Sequence, residues 1–240
     1  QVSYGRTGHC IGSVWYQFII DDKTIFFSGD YVEENYVYER ELIRGKSADL
    51  AVLDCAYGKD DNSLADYSNE LVRFAQEKRS MGKTLLLPVP KYGRGLEIYW
   101  LLKKYFPKWK YCADSHFLNQ IDCSKDNPWI RSDIGLTTDI VLYTKDIEAD
   151  VVFVSDPQLK SAAAQEIAAQ VLKSGHAIMT GTVEKGTKSE QLIMEKKMTL
   201  IRFPVHLNYD QFRNVDALNS FVRTVAYHTP EFDYVKEIEI

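Results

Sequence analysis

The sequence predicts an α/β fold with a largely parallel central sheet that is covered on both faces. Short apolar runs alternate with longer segments in which apolar residues recur at helical spacing. Two strand–helix units are clear, one beginning at Thr84 and the other at Val151. The second begins with 151–154, a run that is apolar throughout and therefore typical of a strand buried on both faces of a parallel sheet.

The predicted elements are bounded by residues that start or stop helices. Ser63 is placed as a helix N-cap, Gly82 and Gly175 follow helix ends, and Pro107 ends the helix before it. In chain order, the elements are strands at 14–20 and 24–27, which form a hairpin, a strand at 50–53, a helix at 64–81, a strand at 84–87, a helix at about 95–105, a strand at 151–154, a helix at 161–173, strands at 177–179 and 199–203, and a helix at about 215–225.

Composition limits the class of protein. The 240 residues are 45% hydrophobic and 26% charged, so the chain can bury a substantial core. The net charge of −5 gives no general attraction to polyanions, and any nucleic-acid contact must therefore be local or assisted by a metal. There is neither a bilayer-length apolar stretch nor a signal peptide, and the four cysteines form no CxxC pair. We therefore expect a cytoplasmic protein with reduced thiols and no membrane partner.

Acidic and imidazole side chains stand where apolar runs end. These residues are His9, Asp30, Asp54, His206 and His228. Taken singly, a histidine is more often a hydrogen-bonded structural residue, and an aspartate after Ser-Gly is usually a turn former. Carboxylates and neutral imidazoles on rigid strand ends are also the ligands that a hydrolytic metal centre needs, and the joint order of the five favours that interpretation.

Ordered motifs along the chain carry a family resemblance. They are GHCIGS at 8–13, FFSGDY at 26–31, LDCAYG at 53–58, GKTLLLPV at 82–89, GRGLE at 93–97, and GTV at 181–183 with GT at 186–187. In this order they resemble the metallo-β-lactamase-fold nucleases of the β-CASP family over essentially the whole chain. The resemblance implies part of a metallo-β-lactamase αββα layer, formed by 1–58 and 195–240, and an inserted Rossmann-like β-CASP domain at 59–194. The active site would lie in the cleft between them.

The resemblance also implies roles for the strand-end residues. His9, Asp30 and His228 would be metal ligands, with Asp30 bridging two Zn²⁺ ions. Asp54 would orient His206, the general acid that protonates the leaving oxygen. In this chemistry zinc lowers the pKa of a bound water, which attacks the phosphodiester.

Other basic residues are candidates for substrate contact. Lys91 and Arg94 are implied to contact phosphate, because they stand where the family's inserted domain faces the active site. Four lysines alternate with aromatic residues, a mixture that suits phosphate contact and base stacking, although a solvated helix end with core aromatics is slightly favoured. These residues are Lys103, Lys104, Lys108 and Lys110, with Tyr105, Phe106, Trp109 and Tyr111. His116 and His176 have no carboxylate motif around them and are interpreted as structural.

The chain departs from the family pattern in three places. Asn208 stands where the family usually has aspartate, and Thr229 where it usually has glycine. The family's His-x-His-x-Asp-His cluster would precede His9 and is missing. Because the chain starts with Gln1 rather than methionine, we expect a piece of a longer polypeptide that would complete both zinc sites.

The function implied for the intact protein is zinc-dependent hydrolysis of single-stranded RNA. A catalytically silent relative that binds RNA or a protein partner is one alternative, and a small-molecule metallohydrolase of the same fold is another. The sequence leaves open endonuclease against 5′ exonuclease action and the oligomeric state, including a homo-oligomer.

Overall fold

The computed structural model describes residues 1–60 and 62–229, and these form eleven strands and six helices. The strands are β1 (Val2–Arg6), β2 (Val14–Ile20), β3 (Lys23–Phe27), β4 (Ser47–Asp54), β5 (Leu85–Pro88), β6 (Tyr111–Ala113), β7 (Ile140–Leu142), β8 (Val151–Val154), β9 (His176–Met179), β10 (Met198–Leu200) and β11 (Ser220–Tyr227). The helices are α1 (Leu64–Ser80), α2 (Arg94–Tyr105), α3 (Ser115–Ser124), α4 (Ala162–Val171), α5 (Lys188–Met194) and α6 (Tyr209–Ala217). The predicted α/β class is confirmed.

The chain divides into two compact units. The first comprises Gln1–Ser63, Pro128–Arg131 and the chain from Pro204 onward, and the second comprises Leu64–Asn127 and Ser132–Phe203. Both boundaries lie later than the sequence predicts, at 63 instead of 58 and at 204 instead of 195. The second difference arises because β10, expected in the return segment, pairs in parallel with β9 of the second unit.

The first unit is built on a five-stranded sheet in the order β1-β2-β3-β4-β11. β1, β2 and β3 are antiparallel neighbours, whereas β3, β4 and β11 run parallel. The β2–β3 hairpin turns at Asp21 and Asp22, which have φ of 47° and 65°, the left-handed geometry that suits a two-residue hairpin turn. Since parallel strands bring their carboxyl ends to one edge, the residues that follow β3, β4 and β11 lie close together.

The predicted helix at 215–225 is wrong in its position. The helix α6 begins six residues earlier, at Tyr209, and Ser220–Tyr227 is a strand paired in register with β4. Asn219 ends the helix, since its side-chain Nδ2 donates to the carbonyls of Ile43 and Val215 and its Oδ1 accepts from the Lys46 N–H. The predicted strand at 199–203 also ends early, at Leu200.

The second unit is built on a six-stranded sheet in the order β10-β9-β5-β8-β6-β7, and every pair in it is parallel. All residues of β5 and β8 are buried, as expected for strands in the middle of a parallel sheet. An apolar cluster here includes Leu86, Val152 and Met179 from three neighbouring strands. Among the described residues, no helix combines the length and the apolar character needed to cross a membrane.

Candidate metal centre

Four of the predicted site residues meet at one edge of the first sheet. Asp30 follows β3, Asp54 is the last residue of β4, His228 follows β11, and His206 precedes α6. One ligand atom from each side chain lies within 4.8 Å of the ligand atoms of the other three. Two carboxylates and two imidazoles at this spacing could hold a metal ion.

Asp30 stands in the middle of this group because the chain turns sharply before it. Gly29 has a φ of 60°, and a Cβ added there would lie 2.9 Å from the Val14 carbonyl oxygen, so glycine is required at this turn. The Oδ1 atom of Asp30 lies 3.8 Å from Nδ1 of His228, while its Oδ2 atom lies 4.0 Å from Nε2 of His9. The two carboxylate oxygens therefore face two different imidazoles.

The carboxylate of Asp54 is fully buried and satisfied by several donors. Its Oδ2 atom lies 2.8 Å from Nδ1 of His206 and accepts from the Tyr31 N–H at 3.2 Å, while its Oδ1 atom accepts from the Ala56 N–H at 3.2 Å. Burial alone would raise the pKa of Asp54, but hydrogen bonds from His206 and His228 hold it below its ordinary value. Asp54 is therefore an ionised carboxylate near neutral pH.

His206 is oriented by that carboxylate. Since ionised Asp54 only accepts, Nδ1 of His206 donates to it, and Nε2 is the nitrogen left for other chemistry. The ring is enclosed by aromatic neighbours, with the Tyr57 ring edge-on at 5.4 Å and the rings of His9 and His228 each at 4.9 Å. Its side chain is only 11% exposed, so its rotation is restricted.

His9 has a defined tautomer. Its Nδ1 atom lies 2.8 Å from the Val205 carbonyl oxygen, which can only accept, so Nδ1 carries the proton. In the neutral ring, Nε2 then presents a lone pair towards Asp30. This arrangement, in which one ring nitrogen donates to a carbonyl and the other faces the site, is common for histidine ligands of metals.

His228 is held in a strained backbone conformation. Its φ of 65° lies in the left-handed region, which costs a side-chain-bearing residue on the order of 1 kcal/mol. Its Nδ1 atom lies 3.6 Å from Oδ1 of Asp54, and the interaction with Asp54 raises the pKa of His228 above its ordinary value. Strain that orients an imidazole between two carboxylates is typical of functional sites.

Pairs of these residues are spaced for a divalent cation, and His9 lies outside the group of four whose ligand atoms are all close to one another. Two ligands bound at about 2.1 Å from one ion can lie at most about 4.2 Å apart. The donor atoms of Asp30 lie within that limit of His9 and of His228, and so do those of Asp54 and His228. Burial, followed by the charge of Asp30, raises the pKa of the nearby Cys10 thiol above its ordinary value.

Sequence reasoning did not identify three further groups that shape the site. The Tyr227 hydroxyl donates to Oδ1 of Asp30 at 3.0 Å, and the Tyr57 hydroxyl accepts from the Val205 N–H at 3.2 Å. The third group is the Val205 carbonyl that holds His9. Tyr57 lies in the LDCAYG motif and Tyr227 directly precedes His228, which are signals that could have identified them; a main-chain carbonyl leaves no such signal.

The predicted substrate contacts Lys91 and Arg94 belong to the second unit. Lys91 lines a small pocket together with His116 and Cys123. Arg94 is the first residue of α2, and its guanidinium packs directly against Gly181, where any side chain would collide with it. Their contact with a substrate stays a prediction.

Comparison with known proteins gives a fold likeness and no family. No family model matches the sequence, and no curated protein matches it. A solved structure described as a protein of unknown function from Enterococcus faecalis V583 is similar, with a TM-score of 0.56 and 13% sequence identity. The match covers 95% of this chain and 58% of that one, so this chain spans little more than half the length of its structural relative.

Proposed function

We propose that this chain carries part of a zinc-dependent phosphodiesterase centre of the metallo-β-lactamase β-CASP type, and that the protein hydrolyses single-stranded RNA. The observation that carries the proposal is the position of Asp30 between His9 and His228, with one carboxylate oxygen directed at each. A carboxylate placed in this way suits the bridging ligand of a two-metal site.

His9, Asp30 and His228 would hold the metal in this proposal. A bound Zn²⁺ supplies a water of lowered pKa and offsets negative charge on the phosphate. The neighbouring carboxylates raise the pKa of His228 and so stabilise its protonated form. A metal ion binds only the unprotonated imidazole, so metal binding must displace this proton. Zinc affinity should accordingly decrease as the pH is lowered.

His206 would donate the proton that the leaving oxygen needs. Its Nδ1 atom is engaged by Asp54, so Nε2 is the nitrogen that can deliver a proton. The buried carboxylate of Asp54 fixes the orientation of the His206 ring through the bond to Nδ1. Asp54 thus positions His206 and need not touch the substrate.

The two roles can be separated by experiment. Asp30→Ala should abolish zinc binding, measured by calorimetry, and zinc-dependent cleavage of end-labelled single-stranded RNA by the full-length protein. His206→Ala should retain zinc binding but slow cleavage by about 100-fold or more, which is the scale of general acid catalysis. His116→Ala, in the second unit, is the matched histidine control and should leave both unchanged. Undiminished cleavage by the Asp30 and His206 variants would overturn the assignment.

A catalytically silent relative is the second candidate, and one contact favours it. Asn208 stands where the family has an aspartate, and its side chain accepts from the Gln211 N–H as a helix cap. The position therefore supplies no carboxylate near His206. Tight RNA binding without cleavage would support this candidate, whereas zinc-dependent hydrolysis of bis(p-nitrophenyl) phosphate but not of RNA would favour a small-molecule hydrolase.

A further inference from the structure

A cavity of about 360 Å³ opens in the second unit, between the last turns of α2 and the segment 134–137. Its walls are mainly apolar and include Trp100, Pro107, Ile134 and Leu136. The volume falls within the range of pockets that bind small molecules. All its lining residues belong to the second unit, and none is a proposed metal ligand.

The walls of this pocket are tied together by hydrogen bonds. The Trp100 Nε1–H donates to the Ile134 carbonyl at 3.0 Å, and the Tyr99 hydroxyl donates to the Thr137 carbonyl at 3.3 Å. These bonds connect α2 to the facing segment, so the pocket is formed before any ligand enters. These bonds also engage the polar atoms of both aromatic side chains. Few hydrogen-bonding groups therefore remain in the pocket for the polar atoms of a ligand.

One positive charge remains at the pocket. The positive charge of Lys103 is paired with Asp139, whose Oδ2 atom lies 2.5 Å from its Nζ atom. The same Nζ atom donates to the Pro107 carbonyl. The exposed Lys104 has its Nζ atom 4.9 Å from the centre of the Trp100 ring and makes no carboxylate pair in the part of the chain that the structure describes. The pocket therefore combines an apolar interior with a single available ammonium group.

Several of the neighbouring basic and aromatic residues already have partners or are buried. Phe106 and Trp109 are stacked with ring centres 3.8 Å apart, Tyr111 is buried, and Lys110 pairs with Glu148 at 2.9 Å. Tyr105 and Lys108 stay exposed, but the stacked and buried rings beside them interrupt the row of rings and cations that a nucleic-acid strand would follow. What the segment presents instead is the pocket beside Lys104.

We propose that this pocket binds a small monoanion of the arylalkanoate class, in which a short alkyl chain joins a flat apolar ring to a carboxylate. The ring would lie between Trp100, Pro107, Ile134 and Leu136, and the carboxylate would pair with Lys104. A nucleobase fits less well, because its polar edges would lose water against apolar walls without gaining partners. This binding activity is independent of the proposed hydrolysis.

Calorimetric titration with 4-phenylbutyrate and with neutral 4-phenylbutanol tests the proposal. Lys104→Gln should weaken binding of the acid about fivefold, as expected for a solvent-accessible ion pair, and should leave binding of the alcohol unchanged. Lys108→Gln removes the same charge from an exposed residue outside the pocket and should change neither affinity by more than about twofold. Equal losses in the two lysine variants, or no binding of the acid to the wild-type chain, would overturn the proposal.

Leu136→Trp tests the location of the site, because the larger side chain should fill the cavity. It should abolish binding of both compounds while circular dichroism shows a folded chain, and unchanged binding by a folded variant would place the ligand elsewhere. The Lys104 variant is judged separately, since its exposed side chain is not needed for folding. A competition experiment tests the nucleic-acid alternative. If a single-stranded oligoribonucleotide displaces 4-phenylbutyrate and its own affinity falls in Lys104→Gln, the pocket is a nucleic-acid site and the proposal is wrong.

Discussion

Asp54 joins the strand β4 to the imidazoles of the site. Its carboxylate has no solvent exposure, yet it accepts hydrogen bonds from two main-chain N–H groups and from His206. A charge in such a position is stable only while its partners are in place. The contribution of Asp54 to folding can therefore be measured without a substrate.

Asp54→Asn should lower the free energy of unfolding by about 2 kcal/mol, because the amide cannot keep every donor paired. Urea unfolding at neutral pH gives the value. Asp49→Asn is the matched change on the same strand, where Oδ2 of Asp49 accepts from the Thr24 N–H at a half-buried position, and it should cost less than about 1 kcal/mol. If both variants lose the same free energy of unfolding, the hydrogen bonds of Asp54 contribute no more to stability than the single bond of Asp49.

His176 makes stability depend on pH away from the metal centre. Burial, with lesser contributions from Lys78 and Lys83, lowers the pKa of His176 below its ordinary value of 6.5. The unfolded chain then binds this proton more readily than the folded one, so the contribution is complete above pH 6.5 and is lost as the pH falls through the folded pKa. His176→Asn should flatten this part of the stability–pH curve.

The control for that change is His116→Asn, which removes an exposed imidazole. Chemical unfolding across a pH series should give the wild-type slope for this variant and a shallower slope for His176→Asn. A wild-type slope in both variants would assign the acid sensitivity to other groups.

Residue patterns could indicate the site only in part. His9, Asp30 and Asp54 stand in short motifs, and the positions of Asp30 and Asp54 at the ends of apolar runs are visible in the sequence. The tautomer of His9 is not visible there, because it depends on a main-chain carbonyl at Val205, which lies far along the chain. The same holds for the contact of Tyr227 with Asp30.

At the scale of the element, the start of α6 fixes the position of His206. The helix begins at Tyr209, only three residues after the histidine. Asn208 and Gln211 form a complete capping box at its start, with each side chain accepting from the other residue's N–H. Asn208, which stands where the proposed family usually has aspartate, therefore caps this helix.

Asn208→Ala should destabilise the chain by about 1 kcal/mol through loss of the cap. Asn214→Ala, an exposed position in the same helix, should change stability by less than about 0.5 kcal/mol. Thermal unfolding of both variants provides the comparison. If Asn214→Ala proves the more costly change, the cap does not anchor this helix.

Local patterns were sufficient for elements whose residues alternate or repeat clearly, and the strands at 14–20 and 151–154 were predicted with their observed bounds. They failed at 215–225, where the helix gives way to β11. That strand forms by pairing with β4, far away in the chain, and the helix ends through long-range bonds of Asn219 to Ile43 and Lys46. No local window contains such partners.

At the scale of the whole molecule, all five predicted site residues, His9, Asp30, Asp54, His206 and His228, belong to the first unit. A ligand that binds only the folded state stabilises the region that holds it. Zinc should therefore slow amide hydrogen exchange at residues 28–31 and 54–57, whereas exchange in the buried strand β8 of the second unit should change little. Exchange that slows equally in both regions, or in neither, would contradict zinc binding at this cluster.

The division into units was only partly foreseeable. Alternation of strands and helices predicted the parallel sheet, since periodicity is a local property. The assignment of Pro128–Arg131 to the first unit was not predicted, because it rests on distant pairing. Tyr38 forms an antiparallel bridge with Ile130, and the Glu39 N–H donates to the Trp129 carbonyl at 2.8 Å.

The parallel pairing of β11 with β4 has a consequence for biosynthesis. Ser220 pairs with Ser47, so this edge of the first sheet cannot form until residues 220–227, which follow the whole second unit, have left the ribosome. The second unit ends at Phe203 and can fold before that strand emerges. Asp54 would meanwhile lack both imidazole partners, so under the proposed function zinc should be captured only after the second unit has been synthesised.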